Sequence, residues 1–287
     1  MRTWKRIAVM TTLALAALGA LAAGVLVYSG WYDVSATNQH LATTYRLLDV
    51  AMRRSIALRA ADTVVPPLDD PARAVNGFRH FRAHCVQCHG APGIAPQPFA
   101  LGMTPAPAAL VATAREWPAA DVYWAIRHGI KMTGMPAWQY RMSDNEIWDV
   151  VAFLKVLPTL SPAAYRAWDV RYPPMPAAMP PSAPGQIENA RLGDARAGRR
   201  ALQQYLCATC HTIPGIAGAD RRVGPPLGGF ADRQYIAGVL PNTPANLMHW
   251  LRHPTQVDPL SAMPDLGVTE LDARDMAAFL YTLGGDR

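Results

Sequence analysis

The longest apolar stretch of the chain covers residues 7–27 and carries no charged side chain. Its 21 residues would form a helix about 31 Å long, close to the thickness of a bilayer core of about 30 Å. Basic residues precede the stretch and aromatic residues follow it: Arg2, Lys5 and Arg6, then Tyr28, Trp31 and Tyr32. The basic end favours the cytoplasmic side, and the aromatic residues fit a membrane interface. The pattern therefore predicts a single transmembrane anchor over residues 1–32 in the inner membrane of a bacterium, with the rest of the chain in the periplasm.

A cleaved secretory signal is the alternative interpretation, because Ala20, Leu21 and Ala22 could form a small-residue cleavage site. Signal peptides usually have an apolar region of about 7–15 residues, and this stretch is longer. Its length favours the uncleaved anchor, and either interpretation exports the remainder of the chain.

A second helical pattern covers residues 40–59, within a segment, 33–70, that we interpret as a stalk. Apolar residues recur there every three or four positions, namely Leu41, Tyr45, Leu48, Met52 and Ile56. This spacing predicts an amphipathic helix. Its apolar face could pack on the domain that follows, or it could dock on the membrane or on a membrane partner.

The rest of the chain contains one order of motifs and predicted helices twice, in residues 71–160 and 187–287. Each segment has a helix ending in Cys-x-x-Cys-His, a loop rich in Gly and Pro, a short helix, a Met-Pro pair and a closing helix. Ser143 and Thr269 are placed to cap the two closing helices. No run alternates as a strand would, so the predicted fold is all-α, with two helical domains after the anchor.

Residues 161–186 between the two domains form a predicted linker. Six prolines stand at positions 173, 174, 176, 180, 181 and 184. Such a composition is typical of an extended, semi-rigid spacer.

All four cysteines belong to two identical motifs, Cys85, Cys88 and His89, and Cys207, Cys210 and His211. Two cysteines one helical turn apart can form thioether bonds with the vinyl groups of a haem, and the adjacent histidine then binds the iron. We therefore expect two covalently bound haem c groups, one in each domain. A zinc site would need both cysteine pairs together, but they lie in different repeats, and a free redox pair would not need the histidine.

The second axial ligand of each iron must come from elsewhere in its domain. Met135 and Met263 occupy the same place in the two repeats, and each is followed by proline. A thioether is neutral and favours the reduced iron, so Met ligation raises the potential. The alternatives are Met132 or His128 in the first domain, and Met248, His249 or His253 in the second.

Both domains resemble class I cytochromes c. In that family a glycine and an aromatic residue of the first helix pack against an aromatic residue of the last helix. Gly77, Phe81 and Phe153 fit these positions in the first domain. The resemblance implies a single-electron carrier with no vacant iron position and no small-molecule substrate.

The second domain departs from the family pattern by one residue. Gly198 and Leu202 stand nine and five residues before Cys207, and Phe279 or Tyr281 would be the closing aromatic residue.

The family also has a Gly-Pro whose carbonyl accepts the proton of the ligand histidine. Pro225, after Gly224, fits this role for His211; in the first domain Pro105 is the candidate for His89. Trp250 fits the family's buried tryptophan near a haem propionate, and Trp124 is a looser analogue.

Charge narrows the possible partners. The 27 basic residues, of which 24 are Arg, exceed the 21 acidic ones by a dispersed net charge of +6, which does not indicate nucleic-acid binding. Residues 71–158 carry 8 basic and 5 acidic side chains, whereas residues 188–287 carry 10 of each. We expect different redox partners to dock on the two domains.

Several functions fit two such domains on one anchor. The sequence favours an electron carrier, or the cytochrome subunit of a respiratory complex, over an enzyme. The expected partners are an oxidase, a cytochrome bc complex or a periplasmic dehydrogenase. The second domain in particular resembles the cytochrome c domains attached to haem-copper oxidases. A dihaem peroxidase is the enzymatic alternative, and it would need one iron with a displaceable ligand.

Overall fold

The computed structural model describes residues 2–174 and 191–284. The α-helices are α1 Arg2–Tyr28, α2 Ala42–Ala60, α3 Pro71–His84, α4 Val86–His89, α5 Pro98–Leu101, α6 Leu110–Glu116, α7 Ala119–His128, α8 Asp144–Val156, α9 Pro162–Arg171, α10 Ala195–Gln204, α11 Pro244–Arg252, α12 Pro254–Val257 and α13 Glu270–Leu280. Short 3-10 helices cover Trp138–Tyr140, Leu157–Thr159, Cys207–Thr209 and Phe230–Asp232. The all-α prediction is confirmed. One small antiparallel ladder, β1 Tyr235–Ile236 with β2 Leu240–Pro241, was not expected from the sequence.

Helix α1 matches the predicted apolar stretch. Thr3–Tyr28 is long and apolar enough to cross a membrane, and its most apolar window is not buried against the rest of the described chain. A membrane would cover the side chains that α1 leaves exposed.

Helix α2 forms where the spacing predicts it, but only its C-terminal half packs on the protein. Ile56 and Ala60 are buried, and α2 contacts α7. Leu41, Tyr45 and Leu48 are exposed, so the expected apolar face is covered only in part. Packing on the following domain therefore accounts for one end of the helix and leaves the other end open to solvent or to the membrane.

The first hydrophobic core forms where α3 crosses α8. The crossing is close because residue 77 is glycine: a Cβ there would lie 1.8 Å from the Asp149 carbonyl oxygen. The closeness brings the rings of Phe81 and Phe153 to a centroid distance of 5.1 Å, with both side chains fully buried. The predicted contact between the first and closing helices of this unit is confirmed.

The same core includes α9, which lies within the predicted linker, residues 161–186. Tyr165 is buried, and its ring packs edge-on against Phe78 at 5.4 Å. Ser161 caps α9 by accepting a hydrogen bond from the Ala164 N–H. The first unit therefore continues beyond residue 160, because α9 supplies aromatic surface to its core. Most of the proline-rich part of the linker lies outside the described residues.

The second core repeats this arrangement with α10 and α13. A Cβ at Gly198 would lie 1.9 Å from the Asp275 carbonyl oxygen, which is the counterpart of the crossing in the first unit. Leu202 and Met276 are buried at the crossing. Phe279 follows Asp275 by four residues, as Phe153 follows Asp149, and packs against this core. The glycine predicted from the offset pattern does lie at the helix crossing.

The one-residue offset is absorbed at the end of α10. Helix α3 runs to His84, next to Cys85, whereas α10 ends at Gln204. Leu206 then adopts a left-handed conformation with φ 59° before Cys207. One residue of unusual backbone therefore takes up the extra position and returns the chain to the same motif geometry.

Both closing helices begin at the predicted caps. Ser143 and Glu146 form a full capping box, in which the Glu146 carboxylate accepts from the Ser143 N–H at 2.7 Å. Thr269 accepts from the Asp272 N–H at 3.1 Å. The shorter Asp272 side chain accepts the hydroxyl protons of Thr269 and Tyr205 instead of reaching back to the backbone.

Candidate functional site

The two Cys-x-x-Cys-His motifs fold into the same turn. The N–H of His89 donates to the Cys85 carbonyl at 3.0 Å, and the N–H of His211 donates to the Cys207 carbonyl at the same distance. This turn places the two cysteines of each motif and the following histidine within one helical turn.

All four thiols are free of disulfides and partly buried. Burial raises the pKa of the Cys85 thiol to about 12 and that of Cys207 to about 11. A redox-active or zinc-binding pair instead needs thiolates with lowered pKa values. No group of three or more His, Cys, Asp or Glu residues in 2–174 and 191–284 could hold a metal ion. The zinc interpretation therefore has no support in this part of the chain.

Each motif histidine has one ring nitrogen engaged by a backbone carbonyl. His211 Nδ1 donates to the Pro225 carbonyl at 2.7 Å, at the Gly-Pro singled out in the sequence. His89 Nδ1 donates to the Ala108 carbonyl at 2.8 Å. Because a carbonyl only accepts, the proton is on Nδ1 and the Nε2 lone pair is left for a metal.

The partner of His89 differs from the prediction. Pro105 was the candidate, but the acceptor is Ala108, three residues further along the loop. The contact uses a backbone oxygen, so the identity of the side chain does not signal it. Burial lowers the pKa of His89, and the Ala108 hydrogen bond offsets part of this effect.

The loop before Pro226 lies directly against the ring of His211. A Cβ at Gly224 would stand 2.4 Å from His211 Cε1 and 2.8 Å from Nδ1. A cavity of about 520 Å³ lies beside this loop, lined by Thr212, Arg222, Val223, Gly224, Pro225 and Pro226. Only a residue without a side chain fits between the loop backbone and the ring.

The two candidate methionines have a shared local geometry. The N–H of Met135 donates to the Thr133 hydroxyl, and the N–H of Met263 donates to the Ser261 hydroxyl, both at 3.1 Å. Both methionines are half-buried, Met135 against the first core and Met263 against the second. The hydroxyl residue two positions before each methionine is visible in the sequence, although its role was not predicted.

The alternative ligands differ from this pair in exposure. Met132 is 81% exposed and Met248 is fully buried in the second core. His128 packs against Trp124, with ring centroids 4.7 Å apart. Met103, which was not among the predicted ligands, lies beside the Met135 loop. Its sulfur is 3.0 Å from where a Cβ at Gly134 would stand.

Trp250 is followed, three residues later, by a buried histidine, His253, whose ring nitrogens lack hydrogen-bond partners among the described residues. Trp250 itself is 8% exposed and belongs to the second core. His253 is 4% exposed, and neither of its ring nitrogens makes a hydrogen bond to any residue the structure describes. Asp265 Oδ2 lies 3.6 Å from Nδ1, beyond hydrogen-bond range.

These features together fit a covalently held haem. The four thiols are free of disulfides, each motif histidine offers Nε2, and a methionine lies at the matching place in each unit. Gly224 lets the loop backbone approach the ring of His211. The residues that would hold the group are Cys85, Cys88, His89 and Met135 in one unit, and Cys207, Cys210, His211 and Met263 in the other.

Comparison with known proteins defines the class of the first unit. Residues 72–154 match a family of c-type cytochromes and contain the first Cys-x-x-Cys-His motif and Met135. This stretch is therefore similar to c-type cytochrome domains, which carry covalently bound haem c. The family is described as cytochrome c oxidase, cbb3-type, subunit III.

Two curated proteins are similar to parts of the chain. The cytochrome c oxidase subunit 2 of Alkalihalophilus pseudofirmus is 33% identical over 92 residues, which are 31% of this chain and 25% of that protein. The cytochrome c oxidase subunit 2 of Bacillus sp. strain PS3 is 41% identical over 65 residues, which are 22% of this chain and 18% of that protein. The chain thus spans a quarter or less of these relatives. No solved structure matches it.

Proposed function

We propose that the chain is a membrane-anchored dihaem c-type cytochrome that carries single electrons on the periplasmic side of the inner membrane, to or within a terminal oxidase. The observation that carries the proposal is the recurrence of one arrangement in both units. Each unit has the same Cys-x-x-Cys-His turn, a histidine with Nδ1 bonded to a carbonyl, and a Met-Pro loop held by a hydroxyl.

The chain's own residues hold and orient the cofactors in this proposal. The cysteine sulfurs make the covalent attachment, and the carbonyls of Ala108 and Pro225 fix the rings of His89 and His211 with Nε2 directed away from the hydrogen bond. When bound, each haem supplies a one-electron iron couple. Met135 and Met263 would supply the second protein ligand of each iron, and their neutral thioethers would favour the reduced form.

The apolar helix α1 and the relatives support the proposed location and partner. Helix α1 can span a membrane, and c-type cytochrome domains fit a periplasmic location. The relatives belong to cytochrome c oxidases, which favours an oxidase over a dehydrogenase as the partner. The chain then acts as an electron-transfer subunit rather than as an enzyme by itself.

A spectroelectrochemical titration of the full chain in detergent tests the proposal, after expression in a host that matures c-type haems. We expect two haems per chain by pyridine haemochrome assay, both at high potential and both with the charge-transfer band of Met-ligated ferric haem. Carbon monoxide and peroxide should leave both spectra unchanged.

Methionine variants assign the ligands in the same experiment. Met135→Ala and Met263→Ala should each remove the charge-transfer band of one haem and lower one potential. Met132→Ala, at an exposed neighbouring methionine, is the matched control and should change neither. A single haem per chain, or a haem that binds carbon monoxide in the unaltered protein, would contradict the proposal, the latter in favour of a peroxidase.

A further inference from the structure

Within residues 2–174 and 191–284, the two units meet at a polar and aromatic contact that the haem-binding residues do not explain. We call it the inter-unit contact, and its members are Tyr140, Arg141, Gln204, Tyr205 and Asp272. Tyr140 and Arg141 come from the first unit and the others from the second.

Tyr205 is the centre of the inter-unit contact. It is 3% exposed, and its hydroxyl lies 2.8 Å from Asp272 Oδ2 and 3.3 Å from the Tyr140 carbonyl oxygen. The rings of Tyr140 and Tyr205 meet edge to face, with centroids 6.0 Å apart at 76°. Burial first, and then the Asp272 carboxylate, raise the pKa of Tyr205, so its hydroxyl keeps its proton at physiological pH.

Arg141 of the first unit contacts both Tyr205 and Gln204 of the second unit. Its guanidinium lies over the Tyr205 ring, 5.7 Å from the centroid, and donates to the Gln204 carbonyl at 3.4 Å. A cation over an aromatic face and an edge-to-face ring pair are both favourable, because each places positive charge against the electron-rich face of a ring. The contact therefore fixes the orientation of one unit against the other with several directional interactions.

The inter-unit contact also connects the two candidate sites along the chain. Tyr140 follows Met135 by five residues, and Tyr205 precedes Cys207 by two. The Tyr205 carbonyl oxygen lies 3.9 Å from the Cys207 sulfur, the atom that would carry the thioether bond. Electrons tunnel faster through bonded and packed atoms than across solvent, and this contact supplies packed atoms between the second axial ligand of one unit and the attachment cysteine of the other.

We propose that the inter-unit contact is the electron-transfer contact between the two haem-binding units. The inference rests on the proposed function, since it needs a redox centre in each unit. A single electron passes across the contact, one unit is oxidised as the other is reduced, and no bond is formed or broken. The two tyrosines keep their protons throughout.

The test compares Tyr140→Ala and Arg141→Ala with variants of the same residue types outside the contact, Tyr235→Ala and Arg46→Ala, which are exposed elsewhere. All are made in the full chain with both haems. Intramolecular electron transfer is measured by flash photoreduction, and amide hydrogen exchange of peptides covering 140–141 and 204–205 is measured in parallel.

We expect the contact variants to slow inter-unit electron transfer, because removing the packed side chains opens a gap between the two units at the contact. Exchange at 204–205 should rise in these variants while both potentials stay unchanged. The two control variants should match the unaltered chain. Arg141→Ala keeps the test valid if Tyr140→Ala disturbs the short helix Trp138–Tyr140.

Two outcomes would overturn the inference in distinguishable ways. Two haems per chain, raised exchange at 204–205 and an unaltered electron-transfer rate would refute the electron-transfer contact alone. One haem per chain in the unaltered protein would refute the proposed function, and the contact would then have no second centre to connect.

Discussion

Gly224 determines how closely the loop backbone can approach the ring of His211. A Cβ at this position would lie 2.4 Å from Cε1 and 2.8 Å from Nδ1, which is inside van der Waals contact. We expect Gly224→Ala to displace the ring, weaken its hydrogen bond to the Pro225 carbonyl and destabilise the second unit by about 1–3 kcal/mol. Thermal unfolding and the redox potential of the haem that we propose for the second unit measure the effect.

Gly228→Ala is the matched control in the same loop. Its Cβ would meet the Pro214 ring at 3.4 Å, an ordinary contact, so neither unfolding nor potential should change. Equal effects of the two substitutions would mean that the loop tolerates no alanine at all, and that the contact with His211 is not the cause.

Two buried tyrosines differ in whether the hydroxyl has a partner. The Tyr165 hydroxyl is buried with no hydrogen-bond partner in the described chain, whereas the Tyr205 hydroxyl binds the Asp272 carboxylate at 2.8 Å. Tyr165→Phe should therefore leave the free energy of unfolding unchanged or raise it slightly, since no bond is lost. Tyr205→Phe should cost about 1.5–3 kcal/mol, because a hydrogen bond to a charged group is lost. Urea unfolding compares the two variants, and a larger loss for Tyr165→Phe would contradict the assignment.

The buried Tyr165 should also make the free energy of unfolding depend on pH. Burial raises the pKa of Tyr165 from 10.0 to about 12. An unfolded tyrosine releases its proton near pH 10 while the folded one still holds it, so the unfolded state binds fewer protons between these values. The free energy of unfolding therefore falls as the pH rises from about 10 towards 12, and Tyr165→Phe should remove this part of the decline.

At the level of single residues, the sequence predicts a backbone contact only where a recognisable motif marks it. The resemblance to class I cytochromes c placed the Gly-Pro, and with it the Pro225 carbonyl, beside His211. Ala108 beside His89 was missed, because any residue can present a carbonyl there. Thr133 and Ser261, which hold the methionine loops, are visible as a repeated hydroxyl only once their hydrogen bonds are known.

At the scale of the secondary-structure elements, Leu206 accommodates the extra residue between α10 and Cys207 by adopting a left-handed backbone conformation. Its φ of 59° lies in the left-handed region, which costs a residue with a Cβ about 1–2 kcal/mol. Its side chain is 62% exposed, so little packing depends on it. We expect Leu206→Gly to stabilise the second unit by about 1 kcal/mol, because glycine adopts this conformation without the steric cost.

Leu271→Gly provides a control of opposite sign. Leu271 is also exposed, at 68%, but lies in the first turn of α13, where glycine costs about 1 kcal/mol relative to a good helix former. Thermal unfolding of the two variants should shift in opposite directions. A loss of stability in both would mean that the Leu206 side chain contributes packing that outweighs its backbone strain.

Helix positions were easier to predict than helix neighbours. The spacing of apolar residues located α2 and the capping residues located α8 and α13. The extent to which α2 is covered depends on how much of it lies beside α7, which is far away in the sequence. Helix α9 was assigned to the linker because prolines follow it closely. It nevertheless belongs to the first core, because its Tyr165 ring packs against Phe78.

At the scale of the whole molecule, the two units differ in charge although they share a fold. Residues 71–158 carry a net charge of +3, and residues 188–287 carry none. Surface charge changes the rate at which charged reagents arrive, and salt screens it over a Debye length of about 10 Å at 0.1 M. An anionic reductant such as ferrocyanide should therefore reach the first unit faster than the second, and added salt should slow it mainly there.

Charge reversal in the first unit tests this difference directly. Lys131 and Lys155 are exposed, and replacing both with Glu changes the charge of residues 71–158 from +3 to −1. In the proposed dihaem protein, we expect ferrocyanide to reduce the haem of the first unit more slowly and a cationic reductant such as hexaammineruthenium to reduce it faster. The haem of the second unit should respond little to either. The pair Lys131→Arg and Lys155→Arg keeps the charge and should behave like the unaltered chain. Equal changes at the two proposed haems would show that the net charge of the whole chain, rather than that of each unit, governs the approach of the reagents.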